Sequence, residues 1–228
     1  MPEEDAFLGR VGHDLRGELA TMIAGIHYLM RYEAGIGEAG KQMLERVNGA
    51  GGRLRRLLDE LELAAWIEGR PPGPLAVEPL RLGILVEAAL GRIERFIAQR
   101  HVTVRTALPD LSEIEGDPEL LGAAVEYALD FAVARSPGHA VDVRAAGPAT
   151  IEVTDEGGVV DPSVLAHLFE PFAEKALIPR PAPGARRRER LGLGLAIARG
   201  ILDAHGGKIE AASAERGIAL TCTLVGRR

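Results

Sequence analysis

A histidine beside an aspartate, His13-Asp14, stands near the start of this 228-residue chain. Imidazole is partly neutral near pH 7, so a ring nitrogen can attack a phosphoryl group while a neighbouring carboxylate orients the ring and takes its second proton. On a helix surface such a pair is in most proteins simply solvated, and context has to separate the two readings. Far downstream, Asp155-Glu156-Gly157-Gly158 sets a carboxylate beside flexible glycines. That combination accepts a hydrogen bond from an adenine amino group while the backbone closes over the ring. Gly192-Leu193-Gly194-Leu195 then opens a helix whose free N–H groups can face phosphate oxygens, a spacing that is weak on its own. Between these motifs lie Lys175, Arg180 and the run Arg186-Arg187-Arg188. Guanidinium groups grip phosphate in pairs, whereas Pro179, Pro181, Pro183 and Gly184 suit a solvated loop, and both readings stay open.

The elements that position these groups follow from periodicity. Leu8, Leu15, Met22 and Leu29 recur every seven residues, with Val11, Leu19 and Ile26 widening the stripe, which predicts an amphipathic helix over 5–33. His13 is two residues from both Val11 and Leu15, about 200° from each, and so faces away from the seam. After Gly35-Ile36-Gly37, the steps Met43, Val47, Ala50, Leu54, Leu57, Leu61 and Ala64 predict a second helix and an antiparallel hairpin. Pairing with a second copy into a four-helix bundle would cover both seams. The competing arrangement is a hairpin packed on its own C-terminal domain.

Breakers at Gly69, Pro71, Pro72, Gly73 and Pro74 mark a linker over 69–75, dividing a helical domain, 1–68, from an α+β domain, 76–228. The second domain is expected to run helix 81–99, strand 102–108, helix 117–135, strands 141–143 and 151–153, helix 191–205 and a closing hairpin 207–225, an α+β sandwich. A formal charge of −6 argues against broad nucleic-acid binding. No apolar run approaches the roughly 18 residues of a membrane span, so a cytoplasmic chain without a membrane segment is expected. The single cysteine, Cys222, reads as a packed thiol in a strand. His27, His101, His139 and His167 show no ligand spacing, and no metal cluster is indicated.

The order of motifs resembles that of two-component sensor histidine kinases. His13-Asp14-Leu15-Arg16-Gly17-Glu18-Leu19 is similar to the family's His-Glu/Asp-Leu-Arg-Thr-Pro-Leu box. Asp155 and Gly157 match Asp-x-Gly-x-Gly, whose last glycine is Val159 here. Phe169-Glu170-Pro171-Phe172 resembles the phenylalanine box, and Ile201 to Ile209 resembles Ile-x-x-x-His-Gly-Gly-x-Ile, which makes His205 structural. The resemblance implies a helical-hairpin dimer followed by an ATPase-type α+β sandwich, with His13 phosphorylated, Asp14 its acid–base partner, and Asp155, Gly157, Gly192 and Gly194 holding ATP. Lys175 and Arg187 are candidates for the charge on phosphate. Gly17 replaces the Thr or Asn that places hydrolytic water, implying weak phosphatase activity, and Glu18 replaces a helix-bending proline.

The family's Asn-x-x-x-Asn-x-x-Lys, which holds magnesium and phosphate, falls on Tyr127, Phe131 and Ala134. One alternative is a helix rotated by about 100°, bringing Glu126 and Asp130 to the pocket in a pattern similar to the Glu-x-x-x-Asn of gyrase-type ATPases. That likeness implies Asp130 as a Mg²⁺ ligand and Glu126 as a base; otherwise the two are solvated carboxylates. The leading expectation is a slow, ATP-dependent histidine kinase, a homodimer that passes phosphate to a response-regulator receiver domain. The alternatives are an ATP-independent histidine phosphotransferase with a degenerate nucleotide site, or a non-enzymatic scaffold that binds the regulator.

Overall fold

The computed structural model describes residue 15 and residues 19–32, 35–69, 75–108, 113–179 and 192–224. The chain divides into two compact units between residues 72 and 73.

The first unit is helical. Residues 19–32 form α1, Gly35 lies in a turn, and Glu38–Gly69 form α2. Glu38 puts a carboxylate on the positive end of the α2 dipole. The two helices meet where Gly51 is small enough to admit Ile23: a Cβ on Gly51 would lie 2.9 Å from Ile23 Cγ1 and 3.7 Å from Leu19 Cδ1. Leu19 is buried, while Leu15, Met22 and Leu29 of the seven-residue stripe and Met43, Leu54 and Leu61 of the second helix are exposed. The apolar stripe therefore lies mainly outside the contact between α1 and α2.

The second unit is a two-layer α+β sandwich. Its strands are β1 (Glu78–Arg81), β2 (Thr103–Ala107), β3 (Glu113–Gly116), β4 (Ala140–Gly147), β5 (Thr150–Asp155), β6 (Lys208–Ser213) and β7 (Ile218–Thr223). Its helices are α3 (Leu82–Arg100), α4 (Pro118–Arg135), α5 (Pro162–Leu165) and α6 (Gly194–Ala204), with a 3-10 turn at Ala173–Leu177. The main sheet has the order β2-β4-β5-β7-β6, parallel only at β2–β4. β1 and β3 form a small antiparallel pair that the sequence pattern did not predict, because at four residues each they are too short to show alternation.

Alternation along the sheet sends Val141, Val143, Ile151, Val153, Leu220 and Cys222 to the helical layer. α4 lies over β5 and β7 between α3 and α6, and its Leu121, Val125, Ala128, Leu129 and Ala132 are fully buried. Each such large side chain contributes about 1.5–3 kcal/mol. Burial pushes the Cys222 thiol up to about 12, which makes it an inert core group.

Candidate functional site

α4 is aimed by its first residues. Asp117 caps it, Oδ1 accepting from the Glu119 and Leu120 N–H groups at 3.1 Å each, and Pro118 occupies the first turn where no N–H is required. His205, expected to be structural, ties the end of α6 to this cap: Nε2 accepts from Asp117 N at 3.1 Å, and Nδ1 lies 2.7 Å from Ile201 O. With α4 held in this way, the stripe Tyr127, Phe131 and Arg135 turns towards the glycine motifs.

Arg135 ends that stripe. It is only 2% exposed, and its Nε donates to Asp155 Oδ2 at 2.9 Å, the Asp155 side chain being 1% exposed. Nη2 donates to Gly158 O at 2.6 Å and Nη1 to Leu177 O at 3.0 Å, while the guanidinium carbon sits 5.8 Å from the Phe131 ring centroid. The other carboxylate oxygen of Asp155 accepts from Gly157 N at 2.7 Å. Burial pushes the Asp155 carboxyl up, and Arg135 and the N–H groups of Gly157 and Ile218 oppose that shift. Gly157 must be glycine, since a Cβ there would fall 2.5 Å from Arg135 O.

The second glycine motif is equally enclosed. Glu174, buried, accepts from Leu195 N at 2.7 Å and so places a carboxylate on the positive end of α6. A Cβ on Gly194 would meet Tyr127 Cδ1 at 2.9 Å and Glu174 Oε2 at 3.4 Å, so ring and carboxylate converge at that residue. Gly192 has φ +86° and accepts from Phe172 N at 2.7 Å, with the Lys175 stem packed beside it and the rest of Lys175 exposed.

Glu126 and Asp130 are elsewhere. Glu126 pairs with Arg92 of α3, Nε to Oε2 at 2.6 Å, and Arg92 also donates to Gly122 O at 2.9 Å. Asp130 is one turn on and 5% exposed, and a further turn along Arg100 donates to Ala134 O at 2.6 Å. In this arrangement Glu126 pairs with α3 while Tyr127 packs at the glycine turn. His13, Asp14 and Arg187 lie outside the described residues.

Residues 116–226 match the model of the histidine kinase-, DNA gyrase B- and HSP90-like ATPase family. The chain is 29% identical over 224 residues to the sensor protein DivL of Caulobacter vibrioides, covering 96% of this chain and 27% of that protein. It is 29% identical over 211 residues to the sensor histidine kinase ZraS of Escherichia coli K12, covering 90% of this chain and 42% of that protein. Residues 116–226 form a domain of this ATPase family, and the chain as a whole is similar to two-component sensor histidine kinases. It spans less than half the length of these curated histidine kinase relatives. The crystal structure of full-length ShkA in complex with AMPPNP matches all of this chain and 47% of that one, with a TM-score of 0.73 at 18% identity, a likeness of fold.

The match to the ATPase family supports a nucleotide-binding domain, while three features of the arrangement described oppose a bound nucleotide. Both oxygens of Asp155 are taken by protein donors, the N-terminus of α6 carries the Glu174 carboxylate, and Tyr127, Phe131 and Ala134 offer no carboxylate or amide oxygen to Mg²⁺. Among the described residues there is no group of three or more His, Cys, Asp or Glu side chains placed to hold a metal ion. None of the described helices is long and apolar enough to cross a membrane. The sequence reading missed Arg135 and Glu174. The signal for Arg135 was a cation at the end of α4, one residue beyond the place where the family resemblance expects lysine.

Proposed function

We propose that this chain is the phosphotransfer part of a two-component signalling protein. It acts in the cytoplasm as a homodimer, carries a phosphoryl group on His13, and exchanges it with the aspartate of a response-regulator receiver domain without consuming ATP. The observation that carries the ATP-independent reading is the Arg135 guanidinium seated on Asp155. In transfer from the receiver, the P–O bond of the aspartyl phosphate breaks as a P–N bond forms to one ring nitrogen of His13. The receiver carboxylate keeps the bonding pair, and Asp14 takes the proton from the other nitrogen. The exposed stripe Leu15, Met22, Leu29, Met43, Leu54 and Leu61 supports pairing with a second copy into a four-helix bundle.

A second reading, ATP-dependent autophosphorylation of His13, is favoured by the match of residues 116–226 to an ATPase family. It requires Arg135 to leave Asp155 and Glu174 to leave α6, and a role for Glu126 or for Asp130 with Mg²⁺ requires α4 to turn as well.

The test supplies the phosphoryl group from two labelled sources. With a phosphorylated receiver domain, acid-labile and alkali-stable label is expected on the wild type and not on His13→Ala, with none from γ-labelled ATP and Mg²⁺. Label from ATP that depends on His13 would return the kinase reading, and label from neither source would leave a receiver-binding scaffold.

A further inference from the structure

Three acceptors converge on one buried point in the second unit: Asp155 Oδ2, Gly158 O and Leu177 O, at 2.9, 2.6 and 3.0 Å from the three nitrogens of Arg135. They belong to the end of β5, the loop after it and the end of the 3-10 turn, segments that Arg135 of α4 joins. A group that satisfies all three must be planar and rich in N–H donors. A guanidinium is such a group, and the exocyclic amino group of an adenine, with its two N–H hydrogens, can meet two of the three. At the other glycine motif the α6 N-terminus attracts an anion, and Glu174 supplies one at 2.7 Å from Leu195 N. The donor-rich end and the anionic end of a nucleotide are thus each matched, in chemistry, by a buried side chain of the chain itself.

We infer that Arg135 is an internal ligand that excludes adenine nucleotides from this domain and holds its loops in place of one. Three hydrogen bonds from one rigid fork join α4, β5 and the segment at Leu177, so the fold is complete without a bound base. Glu174 completes the substitution by meeting the free N–H of α6. Arg135 is therefore the residue that decides what the site accepts: with the guanidinium present it occupies Asp155 Oδ2, Gly158 O and Leu177 O, and with it removed the same three acceptors are left for a planar donor.

The inference rests on the reading that ATP is not consumed, and transfer from a phosphorylated receiver to His13 is scored in the same preparations so that either can fail alone. Full-length wild type and Arg135→Ala are followed by thermal unfolding and calorimetry with adenosine, with ATP, and with methylguanidinium, using methylammonium as the control cation. Wild type is expected to show no binding and no shift in Tm with adenosine or ATP. Arg135→Ala is expected to melt lower and to regain at least about 3 °C, saturably, with adenosine and with methylguanidinium but not with methylammonium.

Adenosine or ATP binding to the wild type with unchanged affinity in Arg135→Ala would overturn the inference, as would a folded Arg135→Ala that responds to neither donor. Should Arg135→Ala not fold alone, it is refolded with each compound present: recovery by adenosine or methylguanidinium supports the internal-ligand role, and failure with both overturns it.

Discussion

Arg135 Nε stands 2.9 Å from Asp155 Oδ2, with both side chains sealed from solvent. A buried ion pair adds little against an apolar pair of equal volume, but removing one partner strands the other charge. Asp155→Asn is therefore expected to cost about 3–5 kcal/mol in urea unfolding. Asp155→Leu combined with Arg135→Met should recover much of that loss. A loss below about 1 kcal/mol for Asp155→Asn would mean that the carboxylate waits on a ligand rather than on Arg135.

Glu174 is the other internal substitute. Its acceptance of the Leu195 N–H satisfies one of the orphan donors of α6, and its charge suits that end of the helix. Glu174→Ala should lower stability by about 1–3 kcal/mol. Glu174→Gln keeps an acceptor and should lose less. Equal losses for the two variants in denaturant unfolding would place the effect in packing rather than in the cap.

Glu156 makes stability depend on pH. The Ala140 N–H, at 3.2 Å, is the main cause that holds its carboxyl below the ordinary value, with Arg216 and Arg105 adding charge. A depressed carboxylate contributes stability that is complete above the unfolded-state value and is lost as pH falls through the folded-state value. Unfolding free energy measured from neutral to acid pH should therefore fall in that range, and Glu156→Gln should flatten the fall. An unchanged acid limb in the variant would assign it to other carboxylates.

The exposed helical stripe makes a prediction about assembly. Met22→Glu with Leu54→Glu puts charge on positions that are 62% and 49% exposed in a single chain. Such positions tolerate charge in a monomer, whereas in a bundle core the charges would be buried. The wild type should sediment as a dimer and the variant as a folded monomer with unchanged helicity. A monomeric wild type would remove the bundle from the proposed function.

Much of the second unit is legible in the chain because helices and strands announce themselves locally. The alternation through Ile151 and Val153 and the Asp117-Pro118 start of α4 involve residues within a few positions of one another. The two short strands β1 and β3 are not legible, since Glu78 pairs with Gly116, far along the chain, and neither strand is long enough to carry a period. Glu126 and Asp130 share a helical face by spacing alone, but spacing does not say which neighbour that face meets, and it meets α3.

The sequence by itself carried a resemblance to a known family, the order of the longer elements and the chemistry each motif is capable of, because motifs and periods lie in neighbouring residues. Only the tertiary structure decided who meets Asp155. Arg135 is twenty positions away from it, in the last turn of another element, and its rotation about α4 depends on the Asp117 cap, the His205 tie, the burial of Phe131 and the approach of Tyr127 to Gly194 together. A carboxylate that reads as a nucleotide acceptor in one dimension is in three dimensions the counterion of a guanidinium, since long-range packing sets which donor arrives first.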